Sequence, residues 1–234
     1  MCGRYTLFTP AEELASRFDA TFEEPPEPRY NCAPGQCLPV LTNDDPDRFR
    51  RFKWGLVPPW ADDEGVGNDL INARAETLAE KPSFEAAYER RRCLVPADGF
   101  YEWVEEGDAK QPYRVAFADD RPFAMAGLWE RWEPSHTQTG LGDFGGGSGA
   151  ASDGDDAVES FTIVTTEPND LVADLHHRMA VVLAPDEEAT WLYGDVEEAA
   201  ELLDPAPADE WEAYPVSTRV NSPANDAPAL IEPV

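Results

Sequence analysis

Lysine is scarce in this chain of 234 residues: Lys53, Lys81 and Lys110 are the only three, among 18 basic and 47 acidic residues, for a net charge of −29. A surface this acidic repels nucleic acid at low salt, and by itself it argues against DNA binding. The alternative is adaptation to high salt, where at about 1 M the Debye length is about 3 Å and only the arginines lining a site matter. Long hydrophobic runs are missing too, although 42% of the residues are apolar, so no membrane span is expected. The N-terminus lacks the basic and apolar stretches of a secretory leader, which predicts a cytoplasmic location. Four cysteines, at 2, 32, 37 and 93, show no C-x2-C spacing, so neither a structural zinc nor any other metal or cofactor is expected. In a reducing compartment Cys32, Cys37 and Cys93 read as small buried hydrophobes, not disulfides.

The pattern of elements is mixed. Thr9-Pro10-Ala11-Glu12 predicts a helix start with Thr9 as N-cap and a helix to about Phe18. The Pro- and Glu-rich segment from Thr21 to Pro28 is expected to hold no regular structure. Strands are predicted over 38–41, 49–56, 100–104, 113–117, 122–132, 161–165 and 180–183. Helices are predicted over 83–91, 169–175, 186–193 and 196–203. This is no βαβ alternation; it predicts an α+β chain, one domain over 1–234, with a mostly antiparallel, curled pseudo-barrel sheet and flanking helices. Residues 133–159, rich in Gly and Asp, read as a flexible acidic insertion between neighbouring strands.

What the chain does have is Cys2. Removal of Met1 would leave an α-amine and a thiol on neighbouring carbons, a 1,2-aminothiol that condenses with aldehydes and closes to a thiazolidine. Four polar residues stand out in apolar or strand-like surroundings: Asn72 and Arg74 in Ile-Asn-Ala-Arg-Ala-Glu, Glu102 in Gly-Phe-Tyr-Glu-Trp, and His176 in Leu-His-His-Arg-Met. Each has a structural alternative. Asn72 could cap a helix, Arg74 could pair with Glu76 on the surface, and Glu102 could face solvent from an alternating strand. The arginines at 48, 50, 51 and 90–92 could contact phosphate, but a solvated face is the reading favoured for them.

Taken together, these residues resemble the SOS-response-associated peptidase family. The resemblance rests on Met1-Cys2-Gly3-Arg4-Tyr5, Arg29-Tyr30-Asn31-x-Ala33-Pro34, Lys53-Trp54-Gly55-Leu56 with Pro59-Trp60, Ile71-Asn72-Ala73-Arg74-Ala75-Glu76, Cys93 to Trp103, Ala126 to Glu130, and His176-x-Arg178-Met179. Two departures are Ala180, where the family commonly has Pro, and the long 133–159 segment. The resemblance implies a monomeric DNA-repair protein of the SOS response whose mature Cys2 crosslinks to abasic sites in single-stranded DNA, with self-processing peptidase activity on Met1. It implies catalytic roles for Cys2, Glu102, His176 and Asn72, and DNA contacts from Arg4, Asn31, Pro34, Trp60 and Arg74, with Asn31 also positioning Cys2. Trp60 and Pro34 would stack on or wedge between bases, while Trp54 fits the core equally well. Two rival readings stand beside it: an N-terminal-cysteine amidohydrolase, whose downstream motifs are missing here, and a noncatalytic DNA-binding module with an inert Cys2.

Overall fold

The structure is a computed structural model that describes residues 2–107, 109–134 and 157–234. Strand β1 (Tyr5–Leu7) leads into helix α1 (Ala11–Phe18), the two-residue β2 (Thr21–Phe22), β3 (Arg29–Cys32), β4 (Cys37–Thr42) and the long β5 (Asp45–Trp54). A 3-10 helix over Glu64–Asp69 precedes β6 (Asn72–Arg74), α2 (Glu85–Arg90), β7 (Arg92–Ala97), β8 (Gly99–Glu106), β9 (Ala109–Phe117) and β10 (Phe123–Trp132). Then follow β11 (Val158–Thr166), α3 (Asp170–Ala173), β12 (Met179–Ala180), β13 (Val182–Leu183), α4 (Glu188–Tyr193), α5 (Val196–Ala200) and β14 (Trp211–Pro215). Met1 and most of the expected acidic insertion lie outside the described residues. Among the described residues no helix is long and apolar enough to cross a membrane.

The strands form two sheets. One has the order β14-β9-β8-β1-β3; in the other, β11-β10-β7-β4-β5 run side by side and a parallel β11–β5 pairing (Ser160 with Lys53, Phe161 with Trp54) closes the ring. The expected α+β, largely antiparallel pseudo-barrel is therefore what forms, and closure leaves fewer bare sheet edges. β7 and β10 carry near-continuous apolar runs because both lie inside this ring, where side chains on either face are buried. Trp54, Phe161 and Tyr5 pack together in the core, the Trp54 ring lying 5.2 Å from Tyr5 and 6.2 Å from Phe161 between centroids. The seam between β1 and the ring is thus filled by aromatic side chains, which bury large apolar areas.

Local expectations fail in instructive places. Thr9 does not cap α1: Pro10 is the N-cap, and the Thr9 hydroxyl donates to Asp98 Oδ2 at 3.0 Å. Asp98 also accepts the Phe8 and Thr9 amides at 2.6 and 2.9 Å, so a buried carboxylate outcompetes the local cap. Thr21–Phe22 does form a strand, parallel to β5, since Phe22 stacks on Phe49 with centroids 4.0 Å apart. Cys37 is exposed at the first position of β4, not buried as expected, whereas Cys32 and Cys93 are buried.

Candidate functional site

The site is assembled from four segments distant in sequence. β1 pairs with β8 with Tyr5 opposite Phe100 and Thr6 opposite Gly99, and the Tyr101 amide donates to the Arg4 carbonyl at 3.0 Å. Continuing that register sets Gly3 opposite Glu102, so the residues before β1 run alongside Glu102. β6 reaches the same place differently. The indole N–H of Trp54, at the end of β5, donates to the Ile71 carbonyl at 2.9 Å, and β6 then pairs in parallel with β11. This holds Asn72, whose Nδ2 donates to the Cys2 carbonyl at 3.0 Å. Asn72 Oδ1 is buried and has no hydrogen-bond partner among the described residues.

His176 arrives from α3. Asn169 caps that helix, accepting from the Val172 amide at 2.9 Å, and the His176 amide continues the turn by donating to the Val172 carbonyl at 2.8 Å. The imidazole Nδ1 lies 3.1 Å from both the amide and the carbonyl of Arg178 and 3.9 Å from Glu102 Oε2. Arg178 in turn is buried and donates to both carboxylate oxygens of Glu76 and to the Thr165 carbonyl, the last at 2.5 Å. Glu76 follows β6 by two residues. Thus an ion pair ties the His176 segment to the Asn72 segment.

Burial sets the electrostatics. Cys2 is 0% exposed and Glu102 2% exposed. Removal from water disfavours the charged form of each: the Glu102 carboxyl is pushed up to about 7, and the Cys2 thiol well above its ordinary value, by burial first and then by the neighbouring Glu102 charge. Burial also lowers the His176 imidazole, which is therefore neutral at neutral pH. The arrangement joins a buried thiol, a carboxyl that exchanges protons near pH 7, a neutral imidazole and an amide oxygen without a partner among the described residues.

The sequence model of the family described as SOS response associated peptidase matches residues 1–223. The chain belongs to this family. It is 41% identical over 240 residues to the abasic site processing protein YoqW of Bacillus subtilis, with 99% of each chain covered. It is 33% identical to the abasic site processing protein YedK of Escherichia coli, covering all of both chains. A solved protein structure from Bacteroides thetaiotaomicron superimposes with a TM-score of 0.84 at 28% identity over the full length of both chains.

Within this SOS response associated peptidase chain, the remaining expected residues fall into two groups. Arg74 is exposed beside Asn72, Trp60 is 56% exposed in the turn after Pro58-Pro59, and Pro34 is half-buried in the β3–β4 turn. Arg4 and Asn31 are instead held by the C-terminal segment. Arg4 Nη1 donates to Asn31 Oδ1 at 2.9 Å and to the Val220 carbonyl at 2.8 Å, and Nη2 donates to the Asn221 carbonyl at 3.4 Å. Asn31, fully buried, donates to the carbonyls of Val220, Ser222 and Asn225. The sequence reading missed this C-terminal wall, whose acceptors are backbone carbonyls that no side-chain pattern advertises. It also missed Arg178 as the partner of Glu76, which an Arg74–Glu76 surface pair would have used. Arg48, Arg50 and Arg91 pair with Asp45, with Asp44 and Glu159, and with Glu130.

Proposed function

We propose that this chain processes abasic sites in single-stranded DNA by crosslinking to them through Cys2 once Met1 has been hydrolysed away. The observation that carries the reading is the convergence of buried Cys2 and Glu102 with half-buried Asn72 and His176 in one cluster, the Glu102 carboxyl near pKa 7. The names of the relatives supply the substrate class. Glu102 and Cys2 would also serve the hydrolysis of the Met1–Cys2 bond, giving the family its peptidase activity.

The ring-opened abasic deoxyribose presents an aldehyde. The Cys2 amine, whose reference pKa is about 8, attacks its carbon when neutral, and Glu102 accepts the proton released. The resulting carbinolamine loses its oxygen as water; with Nδ1 accepting from the Arg178 amide, His176 carries its proton on Nε2, positioned to donate to that oxygen. The Schiff base then takes the Cys2 sulfur on carbon, and the thiol proton ends on nitrogen, closing a thiazolidine. Asn72 fixes the Cys2 carbonyl, leaving Oδ1 to accept from the sugar hydroxyl or the amine. Asn31 acts through Arg4, and Arg4 keeps donors of its five N–H groups beyond the three engaged ones for a phosphate. Arg74 meets a second phosphate, while Trp60 and Pro34 meet flanking bases, which a single strand leaves accessible.

Incubating the protein with a single-stranded oligonucleotide bearing one abasic site, its duplex and its undamaged counterpart tests this. A heat-stable adduct is expected with the abasic single strand and none with the undamaged strand or after capping the aldehyde with methoxyamine. Adduct formation that ignores the aldehyde, or glutamine hydrolysis in place of it, contradicts the reading.

A further inference from the structure

Away from Cys2, a cavity of about 550 Å³ opens where the end of β9, the start of β10, β13, the chain after α5 and the start of β14 meet. Phe117, Phe123, Leu183, Leu202 and Trp211 supply apolar walls, the Trp211 ring lying 4.1 Å from Phe117 and 5.0 Å from Phe123 between centroids. No lining residue belongs to the site described above. The size falls in the range of about 300–1,000 Å³ typical of small-ligand sites.

Two independent observations specify an occupant. The first is an unanswered donor. Trp54, Trp103, Trp129, Trp132 and Trp191 each donate their indole N–H to a protein oxygen. Trp211, only 8% exposed as a residue, donates to no acceptor among the described residues, which leaves its N–H available to a bound oxygen. The second is the charge of the rim. Its cations are engaged, Arg17 with Glu188 at 2.6 Å and Arg121 with Asp119 and Glu210 at 3.2 and 2.6 Å. Glu201, Asp204 and Asp209 line the same cavity with no ion-pair partner among the described residues.

From these we infer that the cavity binds a small organic cation: an aromatic or aliphatic body against Phe117, Phe123 and Trp211, an oxygen accepting from the Trp211 N–H, and an ammonium facing Glu201, Asp204 and Asp209. A phosphate-bearing or anionic metabolite is the wrong sign for this rim. The apolar walls likewise disfavour a bare inorganic cation, which would lose its hydration there.

Three probes that share a 4-hydroxyphenyl group test the inference on the full chain by calorimetry: tyramine, the neutral 4-ethylphenol and the anionic 3-(4-hydroxyphenyl)propionate. Tyramine is expected to bind about fivefold or more tighter than 4-ethylphenol, with the propionate weakest, and this order should narrow as salt rises. The double substitution Asp204→Asn and Asp209→Asn, both on exposed surface, should erase most of the charge preference while leaving 4-ethylphenol binding unchanged. Trp211→Phe, which keeps the ring and removes the donor, should weaken tyramine about fivefold, and tyramine should shift the Trp211 indole proton resonance. Absence of binding by all three probes at millimolar concentration overturns the inference. So does affinity indifferent to charge, or affinity unaltered by both the Asn pair and Trp211→Phe.

Discussion

At the scale of single residues, Glu102 decides how the cluster behaves. A carboxyl raised to about 7 by burial keeps its proton in the folded chain over a pH range where the unfolded chain has lost it. Between its ordinary value and about 7 the folded state therefore binds more protons than the unfolded state, so stability falls as pH rises through that window. The cost is on the order of 3 kcal/mol once both are crossed. Glu102→Gln removes this ionisation, so its melting temperature relative to the parent should be higher at pH 8 than at pH 5; a difference independent of pH would place Glu102 in a solvated setting. The same substitution keeps shape and removes proton transfer, and should slow adduct formation by about 100-fold or more in single-turnover gels. A loss of only a few-fold would shift the proton work to His176. The sequence left Glu102 undecided because an alternating strand has two faces and nothing local says which is covered. β8 lies between β1 and β9, and the residues before β1 cover it.

At the scale of elements, the site depends on how β5 ends. Gly55 follows Trp54 with φ at +126°, and a Cβ there would stand 2.5 Å from the Gly67 carbonyl oxygen in the Glu64–Asp69 turn. Gly55→Ala should destabilise the fold by about 2 kcal/mol or more, since strain and a backbone clash act together. It should also impair crosslinking by shifting the Ile71–Asn72 segment that Trp54 holds. Denaturant unfolding and adduct yield measured on one preparation check both; an unchanged midpoint would mean the turn yields freely. Long strands such as β5, β10 and β11 were legible because their apolar pattern extends over many residues. β1, β3 and β6 were not, since three or four residues carry too little pattern and are strands only through distant partners. The candidate site was legible for a different reason: its motifs name directly the side chains that the fold brings together, Cys2, Asn72, Glu102 and His176. The supports were not legible, because Asp98 capturing Thr9 and Arg178 capturing Glu76 are contacts between segments remote in sequence.

At the scale of the whole molecule, a net charge of −29 has to coexist with a polyanionic substrate. Many arginines that might offset it are already paired with carboxylates, so the proposed function leaves DNA contact to a few groups around the cluster, Arg4 and Arg74 foremost. Such local contacts tolerate screening when the surrounding field is repulsive. Crosslinking should therefore persist or improve from low salt to above about 1 M, where the Debye length is about 3 Å; activity confined to low salt would contradict the high-salt account of the composition. The central claim is covalent and has a defined mass. Intact-mass spectrometry of the protein with an abasic single-stranded oligonucleotide should give one adduct equal to the chain lacking Met1 plus the oligonucleotide less one water. Cys2→Ala should give no heat-stable adduct. A stable adduct that retains Met1, or one that survives Cys2→Ala, would contradict it.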